Sequence, residues 1–519
     1  MKKIFAIVLT LFLMASVLCV TAFALNEAPT PMGPVLRISV LKDGETEFVE
    51  EHYVLEDGWN AAIDLAKSKE KLKAYDAERV VIDLLSDWTA VGDDFGSGVG
   101  FDWSTIFIPG DTKITLNMNG HTIDRDLKTD DYDGEVIHVD EEADLIINGG
   151  KSGDPIIMPG QPTADVKMGT ITGGWSCNGA GGIFIDNDAK VELNNVNVIG
   201  NRVTYDDGAG IGVYAGATLV MNGGSVSDNV VRVGFSLDGT FYGGGVLAEK
   251  ATVTLNGVTI ANNINDRLVS SLKGSAIGSK DSKITLKNCL VKDNGLITKY
   301  REEKSDEEAT EDTESTDAII FAWGGSVKIE NTDFIGNGTK DVWAVRETDH
   351  VTSLFHIESA DLTMTGGKVT GNNQVFLFII CCGEANVSGV DFTGNESLAM
   401  YRDGEYCSKP TSTFTDCKFS AGTPYDEYTY DFQFGNKNAN VTFVDCDFGD
   451  ATFDNKSAAK FENTANSVGS IFGEGSLTMI VAFVALIASV ASLVVNLSSN
   501  KKKAVPAASN DAAETEDEE

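Results

Sequence analysis

The stretch Val191-Glu-Leu-Asn-Asn-Val-Asn-Val-Ile-Gly-Asn201 decides the fold, because its pattern recurs along the chain. The first and third residues are apolar, the fifth is Asn, Gly or Asp, the eighth is apolar, and the eleventh is Asn or Gly. Nine copies have their third residue, here called the anchor, at 193, 221, 255, 286, 329, 364, 387, 414 and 443, the last two copies being decayed. Anchors are therefore separated by 28, 34, 31, 43, 35, 23, 27 and 29 residues. A constant motif at variable spacing indicates a repeated structural unit joined by loops of different length.

The residue types within each copy predict short strands. In Val253-Thr-Leu-Asn256, apolar and polar residues alternate, which places the apolar side chains on one face. Asn or Gly then permits left-handed backbone, and a second strand follows at once. A further strand start precedes several anchors, as in Gly181-Gly-Ile-Phe184 and Gly243-Gly-Gly-Val246. Three strands per repeat predict an all-β, right-handed parallel β-helix whose stacked coils share one core. A β-sandwich or a propeller is the alternative, and the uneven spacing argues against propeller blades.

Two recurring signatures carry a family resemblance. Gly181-Gly-Ile183, paired with Phe334-Ile-Gly-Asn337 or Phe392-Thr-Gly-Asn395, resembles the repeat pair of the polymorphic outer-membrane protein adhesins. More broadly, residues 105–455 are similar to right-handed parallel β-helix surface proteins of the pectate-lyase-like superfamily. The resemblance implies the fold and, less specifically, a surface location. The adhesins end in a β-barrel translocator, for which this sequence shows no corresponding pattern.

The two ends of the chain predict export and anchoring. Residues 1–24 have the pattern of a signal peptide: two lysines, an apolar run and Ala22-Phe-Ala24 at the cleavage site. Residues 477–497 are 21 uncharged, mainly apolar residues, enough to cross a ~30 Å hydrocarbon core as a helix. Lys501-Lys-Lys503 follows, so we expect a single-pass cell-membrane protein with an extracellular rod and a cytoplasmic acidic tail at 498–519. A buried helix of a soluble protein is the alternative for residues 477–497.

Between these ends, the sequence predicts a capping region at 25–110, the β-helix at 111–455 and a linker at 456–476. A helix near 58–75 is predicted to cover the open end of the first coil, with its apolar face formed by Trp59, Ala62, Ile63 and Ala66. The first complete coil is expected to begin near Ile114. A helix that binds another protein is the alternative to this cap.

The charge excludes one class of partner. With 78 acidic and 40 basic residues, the formal net charge is −38, whereas phosphate backbones require clustered Lys and Arg, so we expect no nucleic-acid partner. Acids are concentrated in a predicted loop at 299–317 and in the residues 511–519. Both read as solvated spacers. Calcium binding by either run is the alternative.

Seven cysteines remain after the predicted cleavage. Cys289, Cys417 and Cys446 occupy the same repeat position, and the last two belong to consecutive copies. Equivalent residues in stacked coils lie near the Cα separation that a disulfide tolerates, so Cys417 and Cys446 are the candidate bridge. Core packing of two thiols is the alternative. Cys381 and Cys382 are adjacent and show no metal-binding or redox spacing.

The pectate-lyase-like fold that the chain resembles hosts lyases and hydrolases, which carry recognisable catalytic motifs. Asn331-Thr-Asp333 resembles the first element of the polygalacturonase-like series, but it lies within the repeat, and Asp206-Asp207 precedes it rather than following. The five histidines show no metal-ligand spacing. Asp130-Asp-Tyr-Asp133 is the densest acidic turn, so Asp131 and Asp133 are candidate calcium ligands without an EF-hand register. We expect no other cofactor.

Carbohydrate recognition without catalysis remains a hypothesis for the aromatic side chains. Those able to stack on sugars, if they face one side of the rod, are Trp175, Trp323, Trp343, Tyr214, Phe241 and Tyr242. The leading hypothesis is therefore a membrane-anchored extracellular β-helix protein, adhesin-like or structural, with glycan or a host or neighbouring cell surface as its ligand. The alternative is a tethered polysaccharide lyase or glycoside hydrolase, and a third possibility is a surface-array component.

Overall fold

The computed structural model describes residues 33–90, 101–102, 105–127, 134–151, 153–161, 166–177, 179–204, 206–232, 240–265, 271–296, 317–338, 352–373, 376–395, 400–403, 411–422, 432, 440–452 and 459–462. These residues form mostly parallel β-sheets with two helices, an arrangement compatible with a β-helix solenoid. The predicted signal peptide, the acidic loop interior at 299–316, the membrane segment and the acidic tail lie outside the described residues. Among the described residues, no helix has the length and apolar character needed to span a membrane.

The described part of the chain begins with an antiparallel unit. Strand β1 (Leu36–Lys42) pairs antiparallel with β2 (Glu45–His52) and with β3 (Arg79–Leu84). In sequence, α1 (Leu55–Lys67) and α2 (Lys69–Tyr75) lie between β2 and β3. Ser68 caps α2 by accepting a hydrogen bond from Lys71 N at 3.2 Å. The face of α1 with Trp59, Ala62, Ile63 and Ala66 is buried in the main core.

Beyond this unit, four ladders of parallel strands run along the rod. Ladder 1 contains β6 (Thr105–Ile108), β9 (Ile137–Val139), β13 (Ile183–Ile185), β17 (Ile211–Val213), β22 (Val246–Glu249), the first parts of β26 (Ser271–Lys287) and β29 (Asp317–Glu330), β31 (Thr352–Glu358), β34 (Phe376–Cys381) and β36 (Met400–Asp403). Two short strands join its edges: β5 (Phe101–Asp102) pairs with β6, and β21 (Thr240–Tyr242) pairs with β26.

Ladder 2 carries the anchors. It contains β3, β7 (Lys113–Asn117), β10 (Asp144–Asn148), β14 (Lys190–Asn194), β18 (Thr218–Asn222), β23 (Thr252–Asn256), the second parts of β26 and β29, β32 (Asp361–Thr365), β35 (Glu384–Ser388), β37 (Thr411–Thr415), β38 (Asn440–Val444) and β39 (Lys460–Glu462). Because β26 and β29 run through both ladders, ladders 1 and 2 form one continuous sheet.

Two smaller sheets complete the coils. Ladder 3 contains β4 (Trp88–Thr89), β8 (Thr122–Asp124), β11 (Gly169–Thr172), β15 (Val196–Ile199), β19 (Ser225–Ser227), β24 (Thr259–Ala261), β27 (Leu290–Lys292), β30 (Asp333–Ile335) and β33 (Val369–Thr370). Ladder 4 contains β12 (Trp175–Ser176), β16 (Arg202–Thr204), β20 (Val230–Arg232), β25 (Ile264–Asn265) and β28 (Gly295–Leu296).

The nine predicted anchors form one column in ladder 2. Each pairs in parallel register with the next, from Leu193 with Met221 through to Phe414 with Phe443. The column continues towards the N-terminus through Ile147, Leu116 and Ile82. Strands β3 and β4 therefore already belong to the stack, one coil earlier than the first complete coil expected near Ile114, because β3 pairs in parallel with β7.

The fifth residue of each copy is the predicted turn residue, and its backbone is left-handed throughout. These residues have φ between 46° and 65° and are Asn195, Gly223, Gly257, Asn288, Asn331, Gly366, Gly389, Asp416 and Asp445. Only Gly, Asn and Asp readily adopt this conformation. Asn331 is one of them, which agrees with assigning Asn331-Thr-Asp333 to the repeat rather than to catalysis.

The eleventh residue of the copies has a different role from the turn residue. In seven copies it is a buried Asn, at 201, 229, 263, 294, 337, 372 and 395. Each of the first six donates from Nδ2 to Oδ1 of the next at 2.9–3.2 Å. The ladder stabilises the stacking of the coils because it satisfies amide groups that burial would otherwise leave unpaired.

The core changes character along the rod. It is mainly Ile, Leu and Val in the N-terminal coils and phenylalanine towards the C-terminal end, where Phe355, Phe378, Phe414 and Phe443 occupy successive coils. Phe355 stacks on Phe378 at 5.1 Å between ring centroids, and Phe414 on Phe443 at 5.2 Å. Large rings fill the interior of these last coils.

The predicted Cys417–Cys446 bridge is not formed. Both side chains are buried in consecutive coils as the repeat predicted, but both thiols are free. Cys446 Sγ instead donates to Phe414 O and Val444 O, each at 3.4 Å. The alternative prediction, core packing of two thiols, describes this geometry. A different cysteine, Cys382, is disulfide-bonded and lies in a left-handed turn after β34.

Candidate functional site

The outward face of ladder 1 carries a column of aromatic side chains. Strand alternation produces it: in β13, Ile183 and Ile185 point into the core, while Phe184 points out. Parallel register then aligns Phe107, His138 and Phe184, with ring centroids 5.2 Å and 4.7 Å apart.

Two glycines lie next to tyrosines in this column. Gly212 follows Phe184 in register, and a Cβ on Gly212 would lie 3.0 Å from Tyr214 Cε2. Tyr214 fills that space and stacks on Phe184 at 4.6 Å. At Gly278 an added Cβ would lie 3.0 Å from Tyr242 Cβ, and the Tyr242 ring is 5.5 Å from Phe321. The missing side chain of Gly212 leaves room for Tyr214, whereas an added Cβ at Gly278 would first meet backbone, Gly243 N at 2.5 Å and Lys273 O at 2.8 Å.

Trp323 is the most accessible ring of this face among the described residues. Its side chain is 46% exposed, and it is aligned with Lys280 on one neighbouring strand and Glu358 on the other. Two glycines with positive φ follow it, Gly324 and Gly325. A flat indole flanked by polar side chains is suited to stacking on a sugar ring, because it offers apolar area beside hydrogen-bonding groups.

A polar cluster lies beside the tyrosines, in the segment before β17. Asp207 Oδ1 accepts a hydrogen bond from Tyr242 N at 2.7 Å, and Asp207 Oδ2 lies 3.1 Å from Lys280 Nζ. The same ammonium lies 3.8 Å from the Tyr242 ring centroid and 3.8 Å from Glu249 Oε2. Adjacent Asp206 accepts a hydrogen bond from Gly179 N at 2.7 Å.

Burial dominates the electrostatics of this cluster. It raises the pKa of Asp207 above its usual value, although Lys280 and the Tyr242 amide act in the opposite direction. Burial also raises the pKa of Tyr214, and the charges of Asp206 and Asp207 raise it further. Tyr242 has a raised pKa for the same reasons, burial first and Asp207 second. Both phenols therefore stay protonated at neutral pH and are available as hydrogen-bond donors.

A group of side chains at the N-terminal end of the same face could hold a metal ion. His138, Asp140 and Asp186 each offer one donor atom, and the three atoms lie within 4.8 Å of one another. His138 Nδ1 is also 2.7 Å from Glu135 Oε1. The histidine spacing showed no such group because the third residue comes from the next coil.

The predicted site residues have different outcomes. Asp131 and Asp133, the candidate calcium ligands, lie outside the described residues, as do Trp343 and the side chain of Phe241. Trp175 is 2% exposed and donates from Nε1 to Thr204 Oγ1 at 2.7 Å, so it faces no ligand. Tyr214, Tyr242 and Trp323 do share one face, as the hypothesis of sugar stacking requires.

Two parts of the candidate site were not predicted from the sequence. Asp207 and Lys280 are 73 residues apart, and no local motif connects them. The candidate metal group does have a sequence signal: Ile137-His-Val-Asp140 and Ile183-Phe-Ile-Asp186 each have two apolar residues in alternation, followed by Asp. In the register of ladder 1, Asp140 and Asp186 fall in one column, directly after the paired residues Val139 and Ile185.

No protein-family model, curated protein sequence or solved structure matches this chain. Its class is therefore defined by its own architecture, a mainly parallel, all-β chain compatible with a β-helix solenoid.

Proposed function

We propose that this chain is an exported, membrane-anchored β-helix protein of the cell surface that binds glycan on the outward face of ladder 1. It acts as an adhesin-like or structural rod, with the right-handed coil of the pectate-lyase-like superfamily and repeats related to those of the polymorphic adhesins. The observation that carries this proposal is the alignment of exposed Trp323 with Tyr242 and Tyr214 on one face.

Geometry supports binding along the rod rather than at one point. Strands of a sheet lie ~4.8 Å apart, and Tyr214, Tyr242 and Trp323 come from three different coils, with the coil of Lys280 between the last two. A polysaccharide is also a linear repeat and can contact several coils at once. Tyr214 and Tyr242 contribute protonated hydroxyls, and Trp323 contributes the apolar platform.

Charge limits the ligand class. Asp206, Glu249 and Glu358 surround the rings, and Lys280, which faces them, is already paired with Asp207. Uronic-acid polymers would meet like charge here, on a chain whose net charge is −38. We therefore propose neutral or amino-sugar glycans as ligands.

Export and anchoring are supported by the signal-peptide pattern at 1–24, the apolar segment 477–497 and the basic residues after it. The disulfide at Cys382 is consistent with an oxidising compartment, where such bonds persist.

A second candidate function has a specific observation in its favour. Asp207 lies 3.1 Å from Lys280 Nζ, and burial raises its pKa, so a carboxyl group with a perturbed pKa and a cation lie together beside the aromatic face. This is the chemistry that a polysaccharide lyase or hydrolase would need.

The experiment is a polysaccharide panel presented to the full-length protein in detergent micelles, with binding and product release measured on the same samples. The proposal predicts retention of neutral or amino-sugar polymers without release of shorter products. Product release that Asp207→Asn abolishes would establish the enzyme instead. Failure of every polymer to bind would overturn both functions.

A further inference from the structure

His138 and Asp140 lie on β9 and directly after it, and Asp186 directly follows β13 in the next coil. Val139 pairs with Ile185, so Asp140 and Asp186 come one residue after paired positions and lie side by side. One donor atom from each of the three residues lies within 4.8 Å of the other two. The all-parallel stacking thus brings a nitrogen donor and two carboxylates together on the rod surface.

Each of the three side chains is held by a partner outside the group. Glu135 Oε1 lies 2.7 Å from His138 Nδ1. Asp140 Oδ2 accepts a hydrogen bond from Gly110 N at 3.2 Å, and Asp186 Oδ1 accepts one from Asn187 N at 2.7 Å. These contacts use one polar atom of each side chain. The atoms that would bind a metal are then His138 Nε2 and the other oxygen of each carboxylate.

Two aromatic rings also fix the orientation of the imidazole plane. Phe107 lies on one side of the His138 ring at 5.2 Å, and Phe184 stacks on the other at 4.7 Å. In metal sites, a carboxylate often accepts a hydrogen bond from the ring nitrogen that does not bind the metal. This contact orients the histidine and raises its basicity. Glu135, which is mostly buried, occupies that position here.

We propose that His138, Asp140 and Asp186 bind one divalent transition-metal ion of the Zn²⁺ type, with Glu135 positioning the imidazole. The donor set of one nitrogen and two oxygens fits Zn²⁺, which binds such ligands at about 2.0–2.2 Å and accepts a water in a fourth position. Ca²⁺ prefers six to eight oxygens, so a histidine ligand disfavours it. Metal binding requires the three ligand atoms, which lie within 4.8 Å of one another, to approach the separations of about 3–4 Å that these bond lengths set.

The test is a Zn²⁺ titration of the untagged full-length protein without glycan, followed by calorimetry, after its accessible thiols are blocked with iodoacetamide. The variants are His138→Gln, Asp140→Asn, Asp186→Asn and Glu135→Gln. His121→Gln is the matched control, because His121 Nδ1 also lies 3.1 Å from a carboxylate, that of Asp87, but belongs to no such three-residue group among the described residues. Circular dichroism and thermal unfolding check that each variant folds.

We expect one Zn²⁺ per chain, a dissociation constant raised at least about 100-fold in His138→Gln, Asp140→Asn and Asp186→Asn, and raised about 10–100-fold in Glu135→Gln. His121→Gln should bind as the wild type does. Absence of Zn²⁺ binding by the wild type, or binding that all folded variants retain, would overturn the proposal. Ca²⁺ binding that exceeds Zn²⁺ binding and survives His138→Gln would overturn it as well. None of these outcomes depends on whether the face binds glycan.

Discussion

Asp207 Oδ2 lies 3.1 Å from Lys280 Nζ, joining two residues that are 73 positions apart in sequence. Their side chains are only 17% and 21% exposed. Because burial raises the pKa of Asp207 even beside this ammonium, the pair is held in a poorly solvated place. Removal of either charge should therefore destabilise the folded protein.

Lys280→Met should destabilise the protein by about 2–3 kcal/mol at neutral pH, because it leaves the Asp207 carboxylate without its cation. Asp207→Asn combined with Lys280→Met should cost less than the sum of the single changes. Urea unfolding of the four forms of this cycle measures the coupling. The exposed pair Arg37–Glu51 is the control, and its removal should cost less than about 1 kcal/mol. Strict additivity at Asp207 and Lys280 would contradict the pairing.

Asn263→Ala should be much more destabilising than Asn256→Ala. Asn263 Oδ1 accepts from Asn229 N at 3.2 Å and from Asn229 Nδ2 at 3.0 Å, and Asn263 Nδ2 donates to Val226 O at 2.9 Å, all in the buried interior. Truncation orphans these groups, at a cost of about 3–5 kcal/mol. Asn256 belongs to a half-exposed row and donates to Asn222 Oδ1 at 2.8 Å, where water can replace it for less than about 1 kcal/mol. Equal unfolding free energies in the two variants would show that the buried ladder adds nothing.

Stability should fall between pH 6.5 and pH 4 because of His356. Burial lowers the pKa of His356 to about 4, with a smaller effect from Lys273, and its ring packs edge-on against Phe321 at 5.0 Å. Glu358 is the nearest facing carboxylate, with Oε2 at 4.0 Å from His356 Nε2. Since only the unfolded chain takes up the proton within this window, the free energy of unfolding decreases as the pH falls, by roughly 3 kcal/mol in total, and levels off below pH 4.

The check is urea unfolding of wild type and His356→Phe at several pH values. In His356→Phe, the free energy of unfolding should lack the decrease of roughly 3 kcal/mol between pH 6.5 and pH 4 that His356 causes. Above pH 7, the difference in unfolding free energy between the two proteins should stay constant. A pH dependence that is the same in both proteins from pH 7 to pH 4 would assign the effect to other groups.

Cysteine chemistry gives a fourth prediction. Cys417 and Cys446 should react with iodoacetamide only after denaturation, because both thiols are free and buried. Non-reducing peptide mapping should find Cys382 in a disulfide. A peptide linking Cys417 to Cys446 would restore the bridge that the repeat pattern suggested.

The repeat made the solenoid readable in the sequence because each turn through left-handed backbone limits the residue types. Asn195 and Asn331 could be predicted as turn residues for this reason. Residue type alone could not distinguish Asn263 from these turn residues, since Asn also forms the buried hydrogen-bond ladder. The Asp207–Lys280 pair could not be predicted from the sequence, because the contact depends on the lengths of the two coils between these residues. The proposed metal site could not be predicted without the register of ladder 1, whose strands carry a weaker motif than those of ladder 2.

The glycan proposal is tested most directly by binding isotherms of wild type, Trp323→Ala and Ile335→Ala for a neutral or amino-sugar polymer. Trp323 and Ile335 lie in the same coil with exposed fractions of 46% and 39%, but on ladders 1 and 3 respectively. We predict that Trp323→Ala weakens binding about 10-fold or more, the loss expected for about 1.4 kcal/mol of stacking, and that Ile335→Ala leaves it unchanged. Equal affinities in all three proteins would contradict the assignment of this face as the binding surface.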